Sequence, residues 1–274
     1  MKEVIFLKVT LKPKLEFDSP IDLDNVTPDK FKGKNPEEIK KVLVYKGARE
    51  LDLEEIFEIE CEDTGNSEVE IIIDGGLPNG RRLGQEMSEG KIKVLGDIGK
   101  CAGSFMSGGE FEIDGDADSW AGQKMSGGEM VIKGDAGDFL GSTFRGDWQG
   151  MTGGRITVEG NAGDQVGEWL DGGTIVINGN AGLHAGFHMK SGCVIVHGDT
   201  EERIGGQMKG GDIVVEGKLE KVLPGFIYEE VVNDVEVNGV DLEGDFLKFT
   251  GDKSEKGKGS LFVSKKENEN LIPS

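Results

Sequence analysis

Cysteine and proline are both scarce in this chain of 274 residues, which contains 3 cysteines and 7 prolines. Cys61, Cys101 and Cys193 are odd in number and far apart, so they form no CxxC pair and no zinc or iron–sulfur spacing. The few prolines, beside 45 glycines, exclude a collagen-like chain. We therefore expect reduced thiols in a cytoplasmic protein with no metal or cofactor site of its own.

Long apolar runs and an excess of positive charge are also missing. No stretch of roughly 18 apolar residues is present to span a bilayer, and the N-terminus does not resemble a signal peptide. The formal net charge is −21, so the protein's own field opposes binding to nucleic acid or to an anionic membrane. An acidic surface is typical of a well-solvated protein, and the alternative is docking to a basic partner.

A repeated unit dominates the middle of the sequence. MSGGEFEIDGDADSWAG at residues 106–122 returns as MSGGEMVIKGDAGDFLG at residues 125–141. Units that open with Met or Leu, from Met87 to Met208, follow one another along the chain at intervals of 19, 19, 26, 19, 19 and 19. The long interval contains an insertion of seven residues within 142–150. A fixed period of this kind predicts stacked structural units rather than a low-complexity segment.

Each unit contains an alternating segment such as Arg155-Ile156-Thr157-Val158, which predicts a strand with one buried face. A glycine follows the strand and precedes Asp or Asn, and we expect these pairs to adopt the left-handed backbone of a sharp turn. A further glycine closes each turn. The two columns of turn glycines are Gly96, Gly103, Gly115, Gly122, Gly134, Gly141, Gly160, Gly167, Gly179, Gly186, Gly198 and Gly205.

Together these patterns predict an all-β protein whose residues 67–217 form a parallel β-helix of about seven 19-residue turns. Residues 1–66 are predicted to form a mixed N-terminal cap, with strands at 4–9 and 57–61 and a helix capped by Asn35. Residues 218–274 are predicted to form a C-terminal cap, with a hairpin around Asn238-Gly239 and a frayed tail from Lys265.

Residues suited to catalysis are few. A thiol nucleophile needs a base and an oxyanion hole, whereas Cys101 and Cys193 have no candidate partners and belong to columns predicted to point outward. His184 and His188 would share a face only on a helix, and no nucleotide-binding glycine motif opens a helix. We predict no catalytic, cofactor-binding or metal-binding residue. The alternative is calcium at the Gly-Asp corners, since repeated Gly- and Asp-rich turns bind calcium in other proteins.

Aromatic residues are few but clustered. All three tryptophans lie beside the turn glycines or in the insertion, together with three phenylalanines. Such a cluster is typical of an interaction surface, and the alternative is that the insertion or a cap covers it. We call this set the aromatic edge; it comprises Phe105, Trp120, Phe139, Phe144, Trp148 and Trp169.

The corners GDAGDFLG at 134–141 and GNAGDQVG at 160–167 resemble the glycine-repeat domain at the C-terminus of the glutamate synthase large subunit. A repeat array behind an N-terminal cap in a chain of this length is similar to the C subunit of formylmethanofuran dehydrogenase, over essentially the whole chain. The resemblance implies a right-handed β-helix that serves as a non-catalytic scaffold. The complex of that family reduces CO2 and attaches it to methanofuran as a formyl group in archaeal methanogenesis.

The resemblance also implies partner subunits and their cofactors. These are a pterin-binding redox subunit with molybdopterin or tungstopterin, ferredoxin-like subunits with iron–sulfur clusters, and an amidohydrolase subunit with a dinuclear metal site. The family provides no catalytic residue that maps onto this chain. One alternative is the C subunit of a formyltransferase/hydrolase complex, which shares the β-helix but works without the redox partners. Another is a self-standing enzyme, which would need a groove of convergent charged residues that the outward columns do not show.

Overall fold

The computed structural model describes residues 7–14, 17–65 and 68–272, and these residues are mostly β, as the sequence predicts. They form one sheet of 13 strands and one of 4 strands. No helix in this described part of the chain is long and apolar enough to cross a membrane. The elements of the N-terminal region are β1 (Leu7–Pro13), β2 (Ile21–Asp22), α1 (Pro28–Phe31), α2 (Pro36–Lys40), β3 (Leu43–Lys46), β4 (Arg49–Asp52), α3 (Leu53–Ile56) and β5 (Phe57–Asp63).

The predicted cap of α2 is present. The Glu38 backbone N–H donates to the Asn35 side chain at 3.0 Å, and the Asn35 N–H donates back to the Glu38 carboxylate at 2.9 Å. The strand predicted at residues 57–61 is β5, which continues to Asp63. Of the strand predicted at 4–9, residues 4–6 lie outside the described residues and the remainder begins β1. The predicted border between 66 and 67 also lies outside them.

The central strands pair in parallel at the spacing of the repeat. From β1 through β6 to β14, neighbouring strands of the large sheet are parallel, with a register shift near the start of β9, β10 and β12. A second parallel ladder of single bridges joins Leu77, Ile98, Ala117, Ala136, Ala162, Ala181, Thr200 and Leu219. The strands are β6 (Glu70–Ile73), β7 (Gly80–Arg81, in the small sheet), β8 (Lys91–Val94), β9 (Ser107–Ile113), β10 (Ser126–Ile132), β11 (Gly153–Val158), β12 (Asp171–Ile177), β13 (Ser191–Val196) and β14 (Asp212–Val215).

The Met or Leu that opens each unit is fully buried. The methionine side chains leave no room for a Cβ on the first glycine of the next unit. A Cβ added to Gly109 or Gly128 would come within 3 Å of the Cε of Met87 or Met106, respectively. Because the interior is already close-packed, neither methyl group has room to move aside. The buried opening residues are Met87, Met106, Met125, Met151, Leu170, Met189 and Met208.

The two columns of turn glycines differ in conformation, which corrects one expectation. The glycines that close the turns have φ between 61° and 68°, as at Gly122 and Gly186. In the column of six glycines that runs from Gly96 to Gly198, only Gly96 has a positive φ, at 153°. At the other glycines of this column, a Cβ would clash with the corner of the preceding unit. At Gly134, for example, it would come within 3 Å of the Gly115 backbone. Close stacking, rather than a left-handed turn, requires glycine at these corners.

The Asp or Asn that follows these glycines forms a hydrogen-bonded ladder along the stack. The Asp116 N–H donates to Asp97 Oδ1 at 2.9 Å, and the Asp135 N–H donates to Asp116 Oδ1 at 2.8 Å. Each step needs one acceptor oxygen, which an amide side chain supplies as well as a carboxylate. The ladder continues through Asn161, Asn180 and Asp199 to Lys218.

A hairpin covers part of the outward face of the large sheet. It consists of β15 (Ile227–Val237) and β16 (Val240–Gly251), joined at the predicted Asn238-Gly239 turn, where both residues have positive φ. At its tip, Asn238 Nδ2 donates to the Gly173 carbonyl at 3.3 Å. The hairpin and the sheet form a second buried cluster of Val176, Cys193, Ile195, Val214, Val235, Val237, Leu242, Phe246 and Phe262. Cys193, predicted to point outward, is therefore fully buried.

The C-terminal segment returns to the stack. After a 3-10 helix at Lys253–Glu255, β17 (Gly259–Ser264) pairs in parallel with β14 and antiparallel with β16. The sequence predicts fraying from Lys265, whereas Asn268 is 1% exposed and accepts a hydrogen bond from the Leu219 N–H at 2.8 Å. It also donates to the carbonyl of Gly217 at 2.9 Å. These bonds hold the segment through the last 3-10 helix, Glu269–Leu271.

Candidate interaction surface

Left-handed backbone positions the aromatic edge. The residues two before and two after the turn-closing glycine also have positive φ, at 65° for Trp120, 63° for Phe139, 61° for Phe105 and 60° for Trp169. This conformation is uncommon for residues other than glycine and costs on the order of 1 kcal/mol or more. Backbone bonds to the next unit hold it, such as the Trp120 N–H to the Asp138 carbonyl at 2.9 Å. The rings consequently project from the corner of every unit that carries one.

The structure brings four of the six predicted residues together as two ring contacts. Trp120 stacks on Phe139 with the centroids 4.9 Å apart and the planes at 3°. Phe105 contacts Phe144 of the insertion with the centroids 6.0 Å apart. Stacked and offset rings stabilise one another beyond their buried area, by about 0.5–1.5 kcal/mol. The aromatic edge is therefore an ordered array of rings rather than a set of independent side chains.

Trp169 stacks on His188, a residue that the sequence interpretation did not include in the aromatic edge. The ring centroids are 4.0 Å apart and the planes meet at 10°. Phe187 also contacts the His188 ring, with the centroids 3.9 Å apart and the planes at 52°. The repeat contained the signal for this contact, because His188 follows Trp169 by one period and occupies the same position of the next unit.

The insertion covers part of the aromatic edge and presents two rings of its own. Phe144 is 46% exposed and Trp148 is 69% exposed, while the four corner rings are half-buried. Thr143 is buried, and the Gly150 N–H donates to the Trp169 carbonyl at 2.8 Å. The insertion therefore folds onto the aromatic edge and still leaves an aromatic surface exposed. That this surface binds a partner stays a prediction.

Lysines lie over three of these rings. Each Nζ is within the distance at which a ring face attracts a cation, about 6 Å from the centroid. The pairs are Lys100 over Trp120 at 5.7 Å, Lys124 over Phe105 at 6.0 Å and Lys190 over Trp169 at 5.5 Å. Each of these lysines also pairs with an aspartate, Lys100 with Asp118, Lys124 with Asp147 and Lys190 with Asp171, so their charges are balanced locally.

A cleft of about 270 Å³ lies between the insertion and the corners. Phe139 and Trp169 line it from the corners, and Phe144 and Trp148 line it from the insertion. Its polar lining includes Glu168 and Arg145. The cleft is therefore the place on the aromatic edge where a partner's side chain could be enclosed.

Two half-buried titratable groups meet beside this cleft. Burial raises the pKa of Glu168, and the charge of Arg145 offsets this only in part. Burial likewise lowers the pKa of His188, although its Nε2 hydrogen-bonds Gln207 Oε1 at 2.7 Å. The His188 Nδ1 lies 3.9 Å from the Glu168 carboxylate, beyond hydrogen-bond distance. Partial burial therefore makes the charged form of each group less favourable than it is in water.

The residues considered for chemistry lie apart from one another. Burial raises the pKa of the half-buried Cys101 thiol and raises that of Cys193 to about 12, so neither thiol is activated. His184 contacts the edge of the Phe187 ring, with centroids 5.3 Å apart. His197 pairs with Glu216 on the next unit. Within residues 7–14, 17–65 and 68–272, no group of three or more His, Cys, Asp or Glu side chains is placed to hold a metal ion.

The repeat also occurs in known proteins. Residues 79–244 match a family model described as the GXGXG motif. The chain is 55% identical to the C subunit of the tungsten-containing formylmethanofuran dehydrogenase 2 of Methanothermobacter thermautotrophicus, over 94% of this chain and 96% of that protein. This chain belongs to the family of formylmethanofuran dehydrogenase C subunits. A protein of the same description from Methanococcus maripaludis is 41% identical, over 97% of this chain and 99% of its own length.

A solved structure agrees with this assignment. One chain of the X-ray structure of the formyltransferase/hydrolase complex (FhcABCD) from Methylorubrum extorquens, in complex with methylofuran, superposes with a TM-score of 0.83. The two chains are 28% identical, and the match covers 93% of this chain and 99% of that one. The two chains therefore share their fold over nearly their whole length.

Proposed function

We propose that this protein is the C subunit of a formylmethanofuran dehydrogenase complex and acts in it as a non-catalytic scaffold. The observation that carries the proposal is the 55% identity, nearly end to end, to a protein described as the C subunit of such an enzyme. The complex reduces CO2 and attaches the carbon to methanofuran as a formyl group. In this proposal the reaction takes place on other subunits, and this chain holds them in place.

We also propose that the repeat region is a right-handed parallel β-helix of about seven turns. Two parallel ladders per unit support this, one between the strands and one through the single bridges from Leu77 to Leu219. The column of buried opening residues lies between them. Because successive units contact chiefly their neighbours, such a stack is stiff along its length. Stiffness is the property that a scaffold requires.

The partners in this proposal are a pterin-binding redox subunit, ferredoxin-like subunits and an amidohydrolase subunit. They would carry molybdopterin or tungstopterin, iron–sulfur clusters and a dinuclear metal site. We assign the aromatic edge to one of these contacts, because exposed Phe144 and Trp148 are residue types enriched at interfaces. A cytoplasmic location is part of the proposal and is supported by the three cysteines, all of which are free.

Co-expression tests the scaffold role. A tagged full chain, produced with the candidate partner subunits of the same genome, should co-purify with them, while the pure chain shows no turnover. Replacing both Phe144 and Trp148 with Ser should weaken this assembly by about tenfold or more, since such aromatic anchors dominate interfaces. The matched control replaces Leu95 and Ile227, also exposed but outside the aromatic edge, and should leave assembly unchanged. A complex that forms and turns over equally well without this chain would overturn the proposal.

A second candidate is the C subunit of a formyltransferase/hydrolase complex, favoured by the 0.83 TM-score to a chain of that assembly. The same co-purification separates the two. Recovery of pterin and iron–sulfur subunits identifies the dehydrogenase. Recovery of hydrolase and transferase subunits without redox centres identifies the alternative.

A further inference from the structure

Resting on the proposed scaffold function, we propose that the cleft of the aromatic edge receives a single basic side chain, arginine or lysine, from a partner subunit. The side chain would lie among the rings of the corners and the insertion, with its charge at Glu168. This assigns the cleft a partner chemistry that the fold alone does not specify.

The walls of the cleft suit a flat or elongated cation. Phe139 and Trp169 project from the stacked corners, and Phe144 and Trp148 face them from the insertion across about 270 Å³. Ring faces attract cations more strongly once water is removed. The same rings already show this preference within the chain, since the Lys190 Nζ lies 5.5 Å from the Trp169 centroid.

The carboxylate of Glu168 gives the cleft its charge. Its side chain is 18% exposed, and among the described residues it makes no hydrogen bond and no ion pair with a lysine or arginine. His188 Nδ1 lies 3.9 Å from this carboxylate and is itself buried without a hydrogen-bond partner. A partly buried carboxylate without a hydrogen-bond partner attracts an incoming cation more strongly than a fully exposed one, because less water screens its charge.

The other charged residues that line the cleft are Asp147 and Arg145. Asp147 pairs with Lys124, and this contact lowers the pKa of the Asp147 carboxyl. Arg145 is exposed on the insertion and forms no ion pair with Glu168 within 4.0 Å. Arg145 therefore competes weakly with a basic side chain of the partner, whereas it would attract an acidic one. The two partner chemistries thus predict opposite effects for the same pair of substitutions.

The experiment measures the affinity of the full chain for the partner subunits that co-purify with it, over a range of salt concentrations. Glu168→Gln should weaken binding about tenfold or more and reduce its salt dependence, and Glu168→Asp should restore part of the affinity. Arg145→Gln should leave binding unchanged or strengthen it, because a competing cation is removed. Glu159→Gln, an exposed carboxylate outside the cleft, is the matched control and should have no effect.

Two results would overturn the inference while leaving the scaffold role intact. In the first, wild-type protein binds and Glu168→Gln behaves like Glu159→Gln. In the second, Arg145→Gln weakens binding while Glu168→Gln strengthens it, which would indicate an acidic partner group. Failure of the wild-type chain to bind any of these subunits would instead refute the proposed function, and this inference with it. Equal thermal unfolding of the variants checks that each one is folded.

Discussion

The two halves of the repeat bury the same interior and differ on the outside. One outward-facing position of the strand is charged in the first units, as Lys93 on β8 and Glu112 on β9. The equivalent position is apolar in later units, as Val176 on β12 and Val214 on β14. The charged half faces solvent, with Lys93 and Glu112 paired at 2.8 Å, whereas the apolar half lies under the hairpin. The residues at this outward position therefore determine whether a unit faces solvent or packs against the hairpin.

The energies of the two faces are also unequal. Exposed ion pairs such as Lys93–Glu112 contribute about 0–1 kcal/mol each. Fully burying a Val or Phe side chain contributes about 1.5–3 kcal/mol. The hairpin side should consequently tolerate substitution much less than the charged side, although both belong to one repeating unit.

The largest expected effect comes from one substitution made on both faces. Val214→Asp places an unpaired carboxylate beneath the hairpin and should cost about 4 kcal/mol or more. Val131→Asp, at the equivalent position on the half-exposed face of β10, should cost about 1 kcal/mol or less. Urea denaturation of both variants measures the difference. Equal costs would show that the hairpin does not shield the sheet in solution.

A smaller effect is expected when the hairpin itself is weakened. Phe246 is 2% exposed in the second cluster, and Phe246→Ala should cost about 3 kcal/mol. Cys193 then becomes a reporter, because burial beneath the hairpin raises its pKa to about 12 and blocks reagents. Its alkylation, followed by peptide mass mapping, should accelerate on the order of tenfold or more, while that of half-buried Cys101 stays constant. Unchanged labelling of Cys193 would show that its protection does not come from Phe246.

The smallest expected effect tests whether the two halves of the repeat have equivalent interiors. Gly128 and Gly211 lie in different halves, with φ of 83° and 86°, and each faces the Cε of a buried methionine. Changing either to Ala should cost about 2 kcal/mol, from backbone strain together with overpacking. Gly146→Ala, in open space at φ 90°, should show the strain alone, about 1 kcal/mol. Clearly different midpoints for the first two variants would mean that the interiors are not equivalent.

Much of the fold follows from local patterns in the sequence. The period of the repeat, the buried methionines and the Asn238-Gly239 turn are each encoded by a few neighbouring residues, and the structure contains all of them. The burial of Cys193 depends on a hairpin that lies beyond the end of the repeat, and no local pattern specifies that contact. The outward position changes from charged to apolar residues at Val176, Ile195 and Val214, but this change does not identify the segment that covers them.

The sequence predicted which residues form the candidate surface but not how they are arranged. The repeat identified the six aromatic residues, yet not the left-handed backbone of Trp120 or Phe105, because that conformation depends on hydrogen bonds between units. The stacking of His188 on Trp169 follows from the same stacking of units. The last parallel strand, β17, falls outside the repeat pattern because its glycine, Gly259, comes more than two periods after Gly211. Only the assembled stack shows that both glycines face a buried methionine.

The outermost strands of the 13-stranded sheet, β5 and β15, each have a strand neighbour on one side only among the described residues. An unpaired strand is a template on which a further strand can add, at about 4.8 Å. Like charges brought to that distance repel, and both outermost strands carry rows of exposed carboxylates. These are Glu58, Glu60 and Glu62 on one strand and Glu229, Glu230 and Glu236 on the other. A sheet that could accept another strand at either end is thereby protected against edge-to-edge association between copies.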